Sequence, residues 1–522
     1  MKVNHQFMEK FSNSNSFKIV IFLVIVGFLI RLVFIPFEIP LSLDALDYFA
    51  YSVAINQEGN FPDEYLVSNF GWSSILSLSF WNSNNSEMLE LMNIERIFSS
   101  IISSITVIPI YLLCKNFFKK NIAVLGSSLF LFDPRIIENS ILGISDSIYI
   151  LFVVITIMFV FIKNRRFFYI SFVFAALATF VRYEGVLLIF PLILSFFLRR
   201  NFDKKSISKF IIGISLFFAI LFIINETAYE NSNIFSSVFG STNYVSNVIF
   251  SDEVDPDDQF YGNNDQNKIQ IFLNNLSIGY LKYLGWILIP VLGLFVIPGF
   301  FMTKKKFSKN KIILLMFFAF ISFTGLYAYG RGIQETRYLY PLIPILILFS
   351  CQFFDFLTQK FDTKKIMMVS ISTIIILSVI FIEYDKIDYV YENEIYHATV
   401  FVTSISEGVN DYYGNKFVRT AALENSWPKL LPTNEKHKMT ANIKKFSSEG
   451  FETVEQFLEG NKNKGLTHLV IVENDKKLFL KKIFHNENEY SFLEKIYDSK
   501  DLGFKNQIKI FEINYNVFNL RA

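Results

Sequence analysis

The chain reads as a polytopic α-helical membrane protein with about eleven transmembrane helices, followed by an extracytoplasmic α/β domain. Three observations predict this. The 522 residues are 52% hydrophobic and only 18% charged, with 62 phenylalanines and a mean hydropathy of +0.37. A soluble chain of this length carries more charge. The hydrophobic residues gather in runs long enough to cross a bilayer. Lysine and arginine alternate between the loops that join those runs.

A span needs about 20 mostly apolar residues. The runs are 17–37, 97–114, 145–162, 167–181, 185–198, 210–225, 280–302, 312–329, 338–357 and 366–383. A weaker run, 121–140, is interrupted by Asp133-Pro134-Arg135. The first run is too long for a cleaved signal peptide and has no small-residue cleavage site.

Charge orients the runs, because cytoplasmic loops collect Lys and Arg. One set of loops holds Lys115, Lys119 and Lys120, then Lys163, Arg165 and Arg166, then Arg199, Arg200, Lys204, Lys205 and Lys209. Further on it holds Lys304–Lys306, Lys309 and Lys311, then Lys360, Lys364 and Lys365. The alternate set is acidic, with Asp44, Asp47, Asp63, Glu64, Glu87 and Glu90, and later Asp252, Glu253, Asp255, Asp257 and Asp258. The alternation requires the weak run to cross, and places the N-terminus in the cytoplasm of a multi-pass cell-membrane protein.

Residues 1–383 form the transmembrane domain, with long outer loops at 38–95 and 226–279. Residues 384–522 form the soluble extracytoplasmic domain. Within it, 417–422, 468–472 and 507–515 read as strands, and 451–458 and 479–484 as helices. No internal repeat is visible, which weighs against two-fold-repeat transporter architectures. Cys114 and Cys351 both fall in spans, so no disulfide framework is indicated. The net charge of +2 gives no sign of a nucleic-acid partner.

Ionisable residues at a membrane edge are rare and often functional. Five groups share the outer side: Asp44/Asp47, Asp133/Arg135/Glu138, Asp146, Arg182/Glu184 and Arg331/Glu335/Arg337. Asp44 and Asp47 lie three apart, on one face of a short helix. They suit a general base for an acceptor hydroxyl, or Asp44 simply caps a helix. Asp146, in Gly143-Ile-Ser-Asp146, caps the next span, orients an acceptor, or holds a divalent metal with a first-loop carboxylate. That metal is the one cofactor the sequence leaves open, since the five histidines are dispersed. Arg182 and Glu184 form either a structural pair in a tight hairpin or a lipid-phosphate contact. The string Arg331-Gly-Ile-Gln-Glu335-Thr-Arg337-Tyr338-Leu-Tyr-Pro341 is either interfacial anchoring by Tyr and Arg or a phosphate clamp.

Together these motifs resemble the GT-C superfamily of polyprenyl-phosphate-sugar-dependent glycosyltransferases, in its protein O-mannosyltransferase and aminoarabinose transferase-like branch. The resemblance covers roughly 17–383. It rests on Asp44-Ala-Leu-Asp47-Tyr48, Asp146, Val181-Arg182-Tyr-Glu184-Gly185 and Arg337-Tyr338-Leu-Tyr-Pro341-Leu-Ile-Pro344. It implies a sugar carried on a polyprenyl phosphate and attacked, with inversion, by a hydroxyl of a protein, lipid or glycan acceptor. By the same resemblance Asp44 is the base and Asp146 a second carboxylate. Arg182, Arg331 and Arg337 contact the phosphate, with Tyr48, Glu184, Glu335 and Tyr338 in support. The family's first motif often reads Asp-Glu. Here Ala45 stands in place of the second acid, which leaves Asp47 open as the base.

Two other readings compete. A lipid or glycan transporter or flippase predicts charges buried at mid-span. An oligosaccharyltransferase usually carries a Trp-Trp-Asp signature, and no such string occurs here.

Overall fold

A chain segment in hydrocarbon must satisfy its own backbone polar groups, so the apolar runs fold as helices. The computed structural model describes residues 15–59, 70–80, 87–162, 167–199, 204–228, 268–302, 308–385, 387–412, 416–427 and 443–520. It is mostly helical. The helices of the first half are α1 (Asn15–Phe34), α2 (Asp44–Glu58), α3 (Gly71–Ser77), α4 (Met88–Ile105), α5 (Val107–Lys115), α6 (Lys120–Leu131), α7 (Pro134–Ser140), α8 (Asp146–Phe161), α9 (Phe168–Val181), α10 (Ile189–Arg199) and α11 (Lys204–Ala228). Then come α12 (Lys268–Leu288), α13 (Leu292–Phe301), α14 (Ser308–Gly330), α15 (Ile343–Lys360), α16 (Thr363–Tyr384) and α17 (Tyr389–Ile405). Residues 229–267, the centre of the second outer loop, and 60–69 and 81–86 of the first lie outside the described residues.

The chain divides into two compact units. One comprises Met1–Ile35, Val67–Ser79 and Ile94–Asp385; the other Pro36–Leu66, Phe80–Asn93 and Lys386–Ala522.

Among the described residues of the whole chain, five helical stretches are long and apolar enough to cross a membrane: Met88–Lys115, Ile207–Glu226, Lys309–Gly330, Thr336–Lys360 and Thr363–Ile405. A sixth is a bent pair, Gln270–Leu288 with Leu292–Phe301, which turns by 106°. The sequence presents 280–302 as one run, so the bend is a correction. Pro290 supplies the cause, since it has no N–H to donate and its ring obstructs a straight helix. The apolar helices α6, α8 and α9 are shorter than a full span.

The break at Asp133-Pro134-Arg135 is a helix start. Asp133 accepts hydrogen bonds from the backbone N–H of Arg135 (3.1 Å) and Ile136 (3.4 Å), with Pro134 in the first turn of α7. This is the usual chemistry of a helix N-terminus. Arg135 then donates to the carbonyls of Trp286 (3.0 Å) and Ile289 (3.3 Å), beside the 106° bend. Its guanidinium lies over the Trp286 and Phe381 rings, 5.2 and 4.7 Å from their centroids. Asp133 and Arg135 therefore stabilise the fold at that corner.

Helices in a bilayer gain little from hydrophobicity and approach closely where side chains are small. Gly299 of α13 lies against α15 so closely that a Cβ would stand 1.9 Å from the Phe349 carbonyl oxygen. Gly299→Ala must push the two helices apart, and overpacking of this kind costs about 1–3 kcal/mol. The expected result is a melting temperature lowered by several degrees in detergent or lipid, with helix content by circular dichroism unchanged.

The second unit holds β1 (Gly408–Asn410), α18 (Val418–Ser426), β2 (Lys444–Phe446), α19 (Val454–Asn461), β3 (His468–Val472), α20 (Leu478–His485), β4 (Leu493–Asp498), β5 (Ile508–Ile513) and α21 (Tyr515–Asn519). The five strands order β2-β1-β3-β5-β4, with β1 parallel to β2 and β3, and β5 antiparallel to β3 and β4. Alternation assigns the two faces. Leu469, Ile471, Phe511 and Ile513 pack with Phe457, Leu458, Phe479 and Ile483 of α19 and α20. Val470, Val472, Ile508 and Ile510 pack with Ile395, Tyr396, Val402, Val418 and Ala421 of α17 and α18. Burial on both faces explains why β3 reads as an unbroken apolar run.

Strands β3 and β5 and helices α19 and α20 stand where the sequence places them. Segment 417–422 does not, because it is the start of helix α18. Ala421, Ala422, Leu423 and Glu424 are strong helix formers and outweigh the Phe-Val pair that suggests a strand.

Candidate functional site

Asp146 opens α8 directly after a sharp turn. Gly143 has φ +80°, a conformation that L side chains rarely adopt. The turn is held by Trp72, whose indole N–H donates to the Gly143 carbonyl (2.9 Å) and to Glu95 Oε1 (3.1 Å). On the neighbouring helix, α9 ends at Val181 and Arg182 leaves it in an extended conformation (φ −144°, ψ 125°). A short 3₁₀ turn, Tyr183–Leu188, follows. Gly185 permits the reversal, since a Cβ there would stand 2.4 Å from the Thr179 nitrogen.

This geometry aims Arg182 at two carboxylates. Nη1 donates to Asp146 Oδ1 at 2.5 Å, and Nη2 donates to Glu184 Oε1 at 3.0 Å. The side chains of Arg182, Asp146 and Glu184 are only 13%, 5% and 11% exposed. The guanidinium also lies near two aromatic rings, 5.7 Å from the Tyr149 centroid and 5.6 Å from that of Tyr338. Asp146 thus serves as an ion-pair partner, where the sequence also allows a helix cap. Its other oxygen, Oδ2, and Glu184 Oε2 are buried without a hydrogen-bond partner among the described residues. Buried acceptors of this kind ask for a donor. The trio carries one positive and two negative formal charges, so it favours a hydroxyl-rich or cationic group over an anion.

Tyr338 connects this trio to the second arginine string. It lies between Arg182 and Arg337, whose guanidinium is 5.8 Å from its ring centroid. Arg337 is ion-paired to Glu335. The chain reverses between α14 and α15 through Gly332 (φ +81°), and Tyr329 anchors the reversal by donating to the Glu335 carbonyl at 3.0 Å. Arg331 lies over the Tyr327 ring at 5.6 Å. Arg182 and Arg337, with their partners Asp146, Glu184 and Glu335, thus stand on either side of Tyr338. Such a group suits a ligand with both an anionic and a polyhydroxyl part.

The first-loop aspartates belong to the other unit. The helix that would place them together exists, as α2 begins at Asp44. Leu43 (φ +54°) occupies the N-cap position, so Asp44 is a first-turn residue and does not cap. Asp44 is exposed, and Asp47 and Tyr48 are half-buried. The Tyr48 carbonyl accepts from Ser52 Oγ at 2.6 Å. Asp47 takes a bidentate ion pair from Arg419, with Nη1 to Oδ2 at 3.2 Å and Nη2 to Oδ1.

Three residues of this chemistry escape sequence reasoning. Arg419 sits in a segment that reads as a strand. Glu95 is fully buried inside α4, paired to Trp72. Arg31, also fully buried, ties four segments together through Ser140 Oγ (3.1 Å), Ser103 Oγ (3.2 Å) and the Gly27 (3.0 Å) and Leu131 (3.3 Å) carbonyls. A charge within an apolar run is the one signal that marks Glu95 and Arg31. No group of three or more His, Cys, Asp or Glu able to hold a metal occurs among the described residues. Asp146 and Glu184 are bridged by the Arg182 guanidinium.

Residues 92–228 match the family model described as dolichyl-phosphate-mannose-protein mannosyltransferase. That segment contains Asp146, Arg182 and Glu184, three of the residues on which the GT-C resemblance rests. The fold is similar to that of an oligosaccharyltransferase from Archaeoglobus fulgidus, crystallised with zinc and sulfate, at TM-score 0.54 and 13% identity over 86% of this chain and 67% of that one. The Cupriavidus metallidurans ArnT structure bound to undecaprenyl phosphate is similar at TM-score 0.48 and 10% identity, over 94% of this chain and 97% of that one. No protein among the curated sequences matches the chain.

Proposed function

We propose that this chain is an integral membrane glycosyltransferase that moves a sugar from a polyprenyl-phosphate donor to an acceptor hydroxyl on the extracytoplasmic face. The observation that carries the proposal is the buried trio of Asp146, Arg182 and Glu184, with Arg337 and Tyr338 beside it. It lies within the stretch that matches a family described by a dolichyl-phosphate sugar and a protein acceptor. The loop charges support about eleven crossings, with a cytoplasmic N-terminus and the α/β domain outside.

In the proposed reaction, Asp44 takes the proton from the acceptor hydroxyl. The acceptor oxygen bonds to the anomeric carbon as the bond from that carbon to the phosphate oxygen breaks, which inverts the centre. The electron pair leaves with the polyprenyl phosphate. A phosphate leaving group needs stabilisation of negative charge rather than a proton. Arg331 and Arg337 supply it. Arg182, held in place by two carboxylates, completes the donor contact, and the unmet oxygens of Asp146 and Glu184 accept hydrogen bonds from the sugar hydroxyls. Tyr48 supports the base and Tyr338 the phosphate contacts. The zinc of the structural relative belongs to that protein, and no step here is routed through a metal.

The test is transfer of radiolabel from a panel of polyprenyl-phosphate sugars to peptide, lipid and glycan acceptors by the purified protein in lipid. Transfer from at least one donor is expected. No transfer, together with movement of the labelled lipid across vesicle membranes, would replace the proposal with a flippase.

A further inference from the structure

We infer that Arg419 of the α/β unit is a positioning residue for the first-loop helix, with Asp47 as its partner and not the base. The inference rests on the glycosyltransferase reading for its catalytic consequence. Its structural part stands alone.

Helix α2 is buried on every side from Phe49 to Ala54, and its first turn is the open part, with Asp44 exposed and Asp47 half-buried. Helix α18 grips the start of α2 at three points. Thr420 Oγ1 donates to the Leu41 carbonyl at 2.8 Å, ahead of the helix. Arg419 forks onto both oxygens of Asp47 in its first turn. Trp427 stacks on Phe49, with centroids 6.1 Å apart and planes at 27°.

Helix α18 is itself fixed. Asn425 Nδ2 donates to the Val400 carbonyl (3.3 Å) and Thr403 Oγ1 (3.0 Å), and Lys416 pairs with Glu392. Phe417, Val418 and Ala421 lie in the same apolar core as Ile39 of the first loop.

A fork with two contacts resists rotation of α2 about its axis, which one point charge does not. Asp44 stands one turn before Asp47, about 4.5 Å along the axis, so the rotation that Arg419 fixes also sets the direction of Asp44. Both oxygens of Asp47 are taken by the guanidinium.

The test compares Arg419→Gln, Arg419→Lys, Asp47→Asn and the double variant Arg419→Gln/Asp47→Asn, as full chains in lipid. Misplacing a catalytic group by about 1 Å costs roughly 100-fold. Each Gln or Asn single variant is expected to lower kcat by about 10- to 100-fold with donor KM within about twofold. The double variant is expected to lose no more than either single, as coupled partners do, and Arg419→Lys to fall between. In Arg419→Gln, amide exchange over 45–58 should quicken while β3 and β5 stay protected.

Unchanged exchange in α2, or loss of protection across the whole α/β unit, would overturn the inference. So would a loss in Asp47→Asn far beyond that of Arg419→Gln, which would put Asp47 on the reacting proton. If the wild type transfers no sugar, the glycosyltransferase reading fails by itself, and the exchange measurement still decides the clamp.

Discussion

Asp44→Asn is expected to lower kcat for sugar transfer by about 10²–10⁴-fold, the range that a positioned general base supplies. The amide keeps the size and shape of the carboxylate and removes only its ability to take a proton. Asp44 is exposed in the first turn of α2, so the substitution leaves no cavity. Thermal unfolding should therefore be nearly unchanged while turnover collapses, and that split separates catalysis from folding. Donor binding, measured by protection against unfolding, should persist because the phosphate contacts are elsewhere. Equal turnover by the variant and the wild type would remove Asp44 as the base. Asp146 would then be next, because its Oδ2 has no partner among the described residues.

Arg182→Gln is expected to have the largest effect on stability. The substitution leaves Asp146 and Glu184 facing each other without a cation in a site where they are 5% and 11% exposed. Removing one partner of a buried ion pair typically costs about 3–5 kcal/mol, against about 5–15 kcal/mol for the folding of a whole domain. Asp146→Asn should cost less, because Arg182 keeps Glu184. The double variant Arg182→Gln/Glu184→Gln should recover part of the loss, since it removes one of the stranded charges, and neighbours in one network are non-additive. Unfolding of the three variants in one lipid composition decides the order. If Arg182→Gln unfolds like the wild type, the trio is solvated and cannot orient a donor. Transfer should fall in Arg182→Gln even below its unfolding temperature, because the guanidinium that orients Asp146 and Glu184 is gone.

Much of the site was legible as chemistry before it was visible as geometry. Arg182 and Glu184 are two residues apart, and their pairing is a local event that the hairpin between two apolar runs makes almost unavoidable. The Gly143-Ile-Ser-Asp146 turn and the Gly330–Pro341 string carry their own conformational signals in glycine, proline and tyrosine. What a linear reading could not do was choose between the structural and the functional role of each charge. Asp133 and Arg135 read in the sequence as charges of the same kind as Asp146, yet one starts a helix and the other grips a bent corner. Asp133 finds its partners within three residues, whereas those of Arg135 lie 151 and 154 residues away.

The sequence by itself determined most of the apolar helices, the strands β3 and β5 and the alternation of charge between loops, because hydrophobic period, turn residues and loop charge are local properties of the chain. Only the tertiary structure decided that 280–302 bends, that 417–422 joins a helix, and that Arg31 and Glu95 find buried partners. It also decided that Arg419 reaches across 372 residues to Asp47. A buried ion pair is specified by the two environments that enclose it, and neither environment exists until the chain has packed.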